Sequence, residues 1–126
     1  MRLTLEQYNR LINVSKKSKY HNNKIDIDGH KFDSTKEGKR YNELKLLERA
    51  GAIKDLELQK VFELQPGYTK NGKKIRPITY KADFVYLNLA NNKIIVEDVK
   101  GFKTKEYLLK KKIFEYVYED LEIKEV

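Results

Sequence analysis

The chain has 126 residues, 27 lysine and arginine against 19 aspartate and glutamate, a formal net charge of +8 and no cysteine. That length fits one domain over residues 1–126 with a modest core, and the missing cysteines exclude disulfides and thiolate metal centres. No apolar run reaches the roughly 18 residues of a membrane span, the start MRLTLEQYNRLINV lacks the apolar stretch of a secretory leader, and a cytoplasmic location without membrane association is expected.

The positive charge favours a polyanionic partner. It gathers at Lys16 to Lys24, at Lys70 to Arg76 and at Lys100 to Lys112, with Tyr20, Tyr68 and Tyr107 among the cations. Three such clusters suggest a surface that tracks phosphates, against the plainer reading of solvated faces.

In chain order, Thr4 with Gln7 forms a capping box that opens a helix to about Val14. The polar run 15–23 then completes a basic N-terminal helix and arm over residues 1–23. KIDIDGHKFDS reads as a β-hairpin turning at Asp28-Gly29. Ser34 to Ala50 is the clearest helix, with Gly51 just past its end. AIKDLELQKVFEL reads as a strand, and Pro66-Gly67 and Asn71-Gly72 are turn signals. Two strands follow, ITYKADFVYL and KIIVEDVK, joined by NLANN. Thr104 caps a helix to about Tyr118 with an apolar stripe of Leu109, Ile113, Tyr116 and Val117, and LEIKEV closes with a strand. The order predicts an α/β domain with a central mixed β-sheet flanked by helices.

KIIVEDVK carries the chemistry. Strand side chains alternate, so Asp98 and Lys100 share one face while Glu97 and Val99 share the other. Acid-x-Lys alone means little in so charged a chain, yet only Asp98-Val-Lys100 ends an apolar strand. Asp83 on the preceding strand joins that face if the connection is a tight turn of even length, opposite either Asp98 or Lys100. An odd connection brings Glu97 to Asp83 instead; the tight turn is the expectation. Two carboxylates facing across a ladder repel. A divalent cation relieves that repulsion, and hard oxygen ligands suit Mg2+ or Mn2+. The plain alternative is a surface Asp–Lys pair of little energetic weight. Glu37 serves as the N3 residue of a Ser34 capping box, and it also lies on the stripe Glu37, Tyr41, Leu44, Glu48. Glu43 is the second-ranked acid of that helix.

An acid on the first core helix, an aspartate on a strand, then acid-x-lysine on the next strand and a helix resemble the PD-(D/E)XK nuclease superfamily. Within it, FDSTKEGKRYNELKLLERAGAIKDLELQ, YKADFVY and VEDVKG are similar to small phage-encoded nucleases related to endonuclease I-type Holliday junction resolvases. The likeness spans roughly residues 25 to 118, with Ala82 where the superfamily name has proline.

The resemblance implies a restriction-endonuclease-like core. It implies Asp83 and Asp98 as metal ligands with the Val99 carbonyl, Lys100 as catalytic lysine, Glu37 as the helix carboxylate, and Gln59 as an accessory polar group. His21 and His30 stay outside it. It further implies Mg2+-dependent hydrolysis of phosphodiesters, with branched or junction DNA as partner and a homodimer to cut both strands. Lys16, Lys17, Lys19, Lys103, Lys105, Lys110 and Lys111 are the expected backbone contacts, and Gly101 a sharp turn near the phosphate. The alternatives are a nicking or end-processing nuclease of the same fold, or a non-catalytic DNA-binding module.

Overall fold

A computed structural model of the chain describes residues 25–100 and 102–126. The expected first helix, the basic arm with Lys16, Lys17 and Lys19, His21 and the turn at Gly101 lie outside the described residues. The chain divides into two compact units, one ending at Ala50 and one spanning Gly51–Val126.

In the first unit, β1 (Ile25–Ile27) and β2 (His30–Phe32) pair antiparallel. Asp28 and Gly29 take φ of 52° and 80°, the paired positive values that a two-residue hairpin of primed type requires. Helix α1 (Thr35–Arg49) starts where Ser34 Oγ accepts the Glu37 N–H at 3.1 Å, and it stops before Gly51 at φ 80°. The helix packs on the hairpin. Contact is closest at Gly38, where a Cβ would come within 2.3 Å of Ile25 Cδ1. Ile25, Ile27, Phe32, Tyr41 and Leu44 are buried, and the Tyr41 hydroxyl donates to Asp28 Oδ2 at 3.0 Å.

The second unit holds a four-stranded mixed sheet in the order β3 (Ile53–Gln65), β6 (Ile78–Asn88), β7 (Lys93–Asp98), β8 (Ile123–Glu125). The first three strands are antiparallel neighbours, and β8 returns parallel to β7 after helix α2 (Lys105–Val117). The protein is therefore mixed α/β. Between β3 and β6 the chain makes a further hairpin, β4 (Tyr68–Lys70) and β5 (Lys73–Ile75). The sequence signalled its Asn71-Gly72 turn, but three-residue polar strands carry no apolar alternation from which to read them.

Thr104 caps α2 as expected, accepting the Tyr107 N–H at 3.1 Å. The helix nevertheless sits in a different rotation from the expected one. Tyr107 and Phe114 face the core, while Leu109 is 60 % and Tyr116 83 % exposed and Val117 is also exposed. The aromatic packing sets this phase: Phe114 lies edge-on to Phe62 at 5.0 Å and to Tyr80 at 5.4 Å, with Tyr118 5.0 Å away. Aromatic pairs contribute beyond their buried area, and they outweigh Leu109 and Val117 of the expected stripe, while its Ile113 does pack, partly buried, against the core. The core joins these rings to Leu64, Ala82, Val85, Val96 and Ile123.

This phase predicts a contrast. Phe114→Ala should cost about 3–5 kcal/mol in urea unfolding, whereas Tyr116→Ala should stay within about 0.5 kcal/mol; similar losses would contradict the described face of α2.

Candidate active site

The site begins with a turn. Residues 89–92 connect β6 to β7, a connection of four residues. Asn88 Oδ1 accepts the Ala90 N–H at 2.9 Å and Asn91 Oδ1 accepts the Lys93 N–H at 3.1 Å, side-chain turns that short polar residues supply. Asn92 adopts φ 58°, which asparagine tolerates better than most residues. The resulting ladder pairs Asn88 with Lys93, Val85 with Val96 and Phe84 with Glu97. Continued by one residue, it sets Asp83 opposite Asp98, the first of the two registers that an even connection allows.

Asp98 is only 2 % exposed. Its Oδ1 lies 3.1 Å from Lys100 Nζ, and its Oδ2 accepts the Tyr80 hydroxyl at 2.5 Å. Burial, the hydrogen bond to Asp98 and its charge push the Tyr80 phenol far above its ordinary range, so it remains a donor. Asp83 Oδ2 accepts the Val99 N–H at 2.8 Å, and Oδ1 accepts Gln59 Nε2 at 3.3 Å. Burial raises the Asp83 carboxyl to about 6; the Val99 N–H opposes this, and the Asp98 charge and hydrogen bond add to it. Asp83 thus holds a proton more readily than an ordinary aspartate.

Gln59 lies on β3 between the pairs Leu58–Phe84 and Lys60–Ala82, opposite Asp83. Its φ of 55° is left-handed, a conformation that costs a non-glycine residue on the order of 1–3 kcal/mol. The strain falls on the residue whose amide holds the acid.

Lys100 is held from three sides. Its Nζ contacts Asp98 and lies 4.2 Å from the centroid of the Tyr107 ring, a cation–π contact. Its N–H reaches the Val126 carbonyl at 3.3 Å, while the Val126 N–H donates to the Asp98 carbonyl at 3.0 Å. Parallel strand β8 thereby braces the segment beyond β7. The Tyr107 hydroxyl donates to Glu125 Oε2 at 2.8 Å, and Glu125 Oε1 also takes Lys103 at 3.0 Å and Lys111 at 3.6 Å. The Tyr107 bond, then Lys103, hold the Glu125 carboxyl below its usual range.

Asp83, Asp98, Lys100 and Gln59 are therefore brought together, and Val99 contacts Asp83 through its N–H. Among the expected phosphate-binding lysines, Lys103 and Lys111 share Glu125, Lys110 pairs with Glu106 at 3.2 Å, and Lys105 is exposed. Glu37 belongs to the first unit, where it is buried, whereas Glu43 is exposed and paired with Arg40 at 2.9 Å. Glu97 faces away from Asp98. It is fully buried and takes the Tyr86 hydroxyl, so it is a structural group rather than a solvated charge.

Tyr80, Tyr107 and Glu125 escaped the sequence reading. Tyr107 stood out as an aromatic among lysines, but nothing tied it to Lys100. Strict alternation puts Tyr80 on the face opposite Asp83. In the structure Tyr80, Ala82 and Val85 join one core, so the inward-facing phase of β6 changes between Ala82 and Val85. Among the described residues no group of three or more histidine, aspartate or glutamate side chains is arranged to hold a metal ion; the acidic donors are the two aspartates.

A carboxyl whose folded pKa is raised favours the fold below its unfolded value of 3.8 and loses that contribution as pH climbs through about 6. Asp83→Asn removes the charge but keeps the shape. At pH 7 it should therefore melt above the wild-type protein, by an increment on the order of 2 kcal/mol, and the advantage should vanish near pH 4. Thermal unfolding across that range checks it; a variant less stable at pH 7 contradicts the assignment of strain to Asp83.

No curated protein and no solved structure matches the chain. A family model described as protein of unknown function matches residues 17–126, well over half of the sequence. The chain belongs to that family, DUF1064.

Proposed function

We propose that the protein is a metal-dependent endonuclease of the PD-(D/E)XK type that hydrolyses DNA phosphodiesters, acting on branched DNA such as a four-way junction. The observation that carries this reading is Asp98 with Lys100 Nζ 3.1 Å away, beside Asp83, which follows the last β6–β7 pair, Phe84–Glu97, and holds the Val99 N–H.

The donor set fits a divalent cation. Two carboxylates present hard oxygens, and Asp83 is raised first by burial and further by the Asp98 charge, a cost that a cation would relieve. Asp83 and Asp98 would hold Mg2+ or Mn2+, with the Val99 carbonyl within the same segment. A cation bound there supplies Lewis-acid neutralisation of the phosphate charge.

The chain's own residues do the rest. Lys100 presents its ammonium beside the acids, where negative charge develops on the phosphate. The Tyr107 ring and the Asp98 carboxylate limit where that ammonium can go, so little reorganisation accompanies the reaction. Tyr80 occupies one Asp98 oxygen and fixes the orientation of the carboxylate. Gln59 and the Val99 N–H do the same for Asp83. A two-fold dimer would present one such site to each of two equivalent strands.

Cleavage assays with four-way junction, linear duplex and single-stranded DNA, in Mg2+ or EDTA, test the reading. Asp98→Asn and Lys100→Ala should each lower the cleavage rate by roughly 100-fold or more, with DNA binding retained. Absence of metal-dependent cleavage on every substrate sinks the enzyme reading, and equal cutting of linear duplex and junction removes the junction preference. Independently of activity, Mg2+ should raise the melting temperature of the wild-type protein and leave Asp98→Asn unchanged.

A further inference from the structure

The hairpin β4–β5 has no part in the acid site or the core, yet its construction is specific. The twelve residues PGYTKNGKKIRP, Pro66 to Pro77, contain four cations and no acid. Lys70 and Lys73 stand directly opposite each other in the ladder, a like-charge pairing that destabilises an isolated hairpin. Among the described residues none of Lys70, Lys73, Lys74 and Arg76 has an acidic partner, and all four are exposed.

The ribbon is also stiff. Asn71 and Gly72 take φ of 52° and 76°, closing a two-residue turn of the primed type. The chain's two prolines flank its root, where they fix φ. At Gly67 a Cβ would approach the Ile75 carbonyl to 3.0 Å and Pro77 Cδ to 3.2 Å, so the strands close tightly there. Side-chain alternation groups Tyr68 and Ile75 with Lys70 and Lys73 on one face and Thr69 with Lys74 on the other.

We infer that this ribbon is an arm that grips the sugar–phosphate backbone of duplex DNA, its lysines seated on phosphates along a groove edge. A two-stranded ribbon has the width that a major groove admits. The tip Lys70-Asn71-Gly72-Lys73 has no apolar side chain to insert into a bilayer, and a lysine pair held face to face gains most where closely spaced anions lie along a line. The ribbon joins the sheet at Ile78, five positions before Asp83 on β6. That spacing is roughly 17 Å of strand, about half a helical turn of duplex. The arm therefore holds DNA to one side of the scissile phosphate. This inference rests on the nucleic-acid partner proposed above but not on catalysis.

The test is duplex binding by fluorescence anisotropy in EDTA, as a function of salt, for wild type and the combined variant Lys70→Gln, Lys73→Gln, Lys74→Gln, Arg76→Gln. All four positions are exposed, and a melting curve verifies the fold. Each lost phosphate contact lowers the slope of log Kd against log salt by about 0.9. The variant's slope should fall by about 3 to 4, with affinity roughly tenfold or more weaker near 100 mM salt. An unchanged slope and Kd overturn the arm, as does four-cation-dependent binding to phosphatidylserine vesicles without binding to duplex. A slope change in a protein that cuts nothing in Mg2+ keeps the arm and discards the nuclease; efficient cutting with an unchanged slope does the reverse.

Discussion

Two carboxylates held across an antiparallel ladder are the constraint around which the second unit is organised. Asp83 and Asp98 sit just past the last β6–β7 pair, Asp98 buried and Asp83 half-buried, where unshared negative charge is costly. Donors and a cation surround the pair: the Val99 N–H, the Gln59 amide, the Tyr80 hydroxyl and the Lys100 ammonium. Those four groups lower the cost without abolishing it, which is why the Asp83 carboxyl is still raised to about 6.

The two faces of β7 divide the work. Asp98 shares its parity with Val96, which is part of the core beneath α2, and the acid site grows from the edge of that core. Glu97, one residue earlier, is turned to the other face opposite Phe84 and is satisfied by Tyr86. Adjacent acids thus have separate roles because a strand alternates. Glu97 is expected to act on stability, since a buried charge that loses its partner costs several kcal/mol, and Asp98 on chemistry.

Much of this was legible in the sequence. The register depended on the length of one turn: an even connection was the expectation, and the structure makes it four residues, 89–92, because Asn88 still belongs to β6. The caps at Ser34 and Thr104, the Asp28-Gly29 hairpin and the closing strand β8 came from local chemistry. What failed depended on partners distant in the chain. The rotation of α2 is decided by Phe62 on β3 and Tyr80 on β6, which its own stripe cannot report. Tyr80 reaches Asp98 only because β6 changes its facing near Asp83, and Gln59 acquires its role from a left-handed backbone that no glycine announces.

That last point gives the site its character. A left-handed glutamine, a pair of crowded acids and a lysine held against both a carboxylate and an aromatic ring are each unfavourable or restrictive for a chain that only needs to fold. A valine at Asp83 and a threonine at Asp98 would suit a half-buried sheet better on packing grounds alone. Features that cost stability and meet in one cluster are the pattern expected where a fold gives up stability for a site. The aromatic core absorbs that cost: Phe114 against Phe62 and Tyr80 anchors α2, and α2 in turn carries Tyr107 to Lys100. The packing that fixes the helix is the same packing that places the lysine.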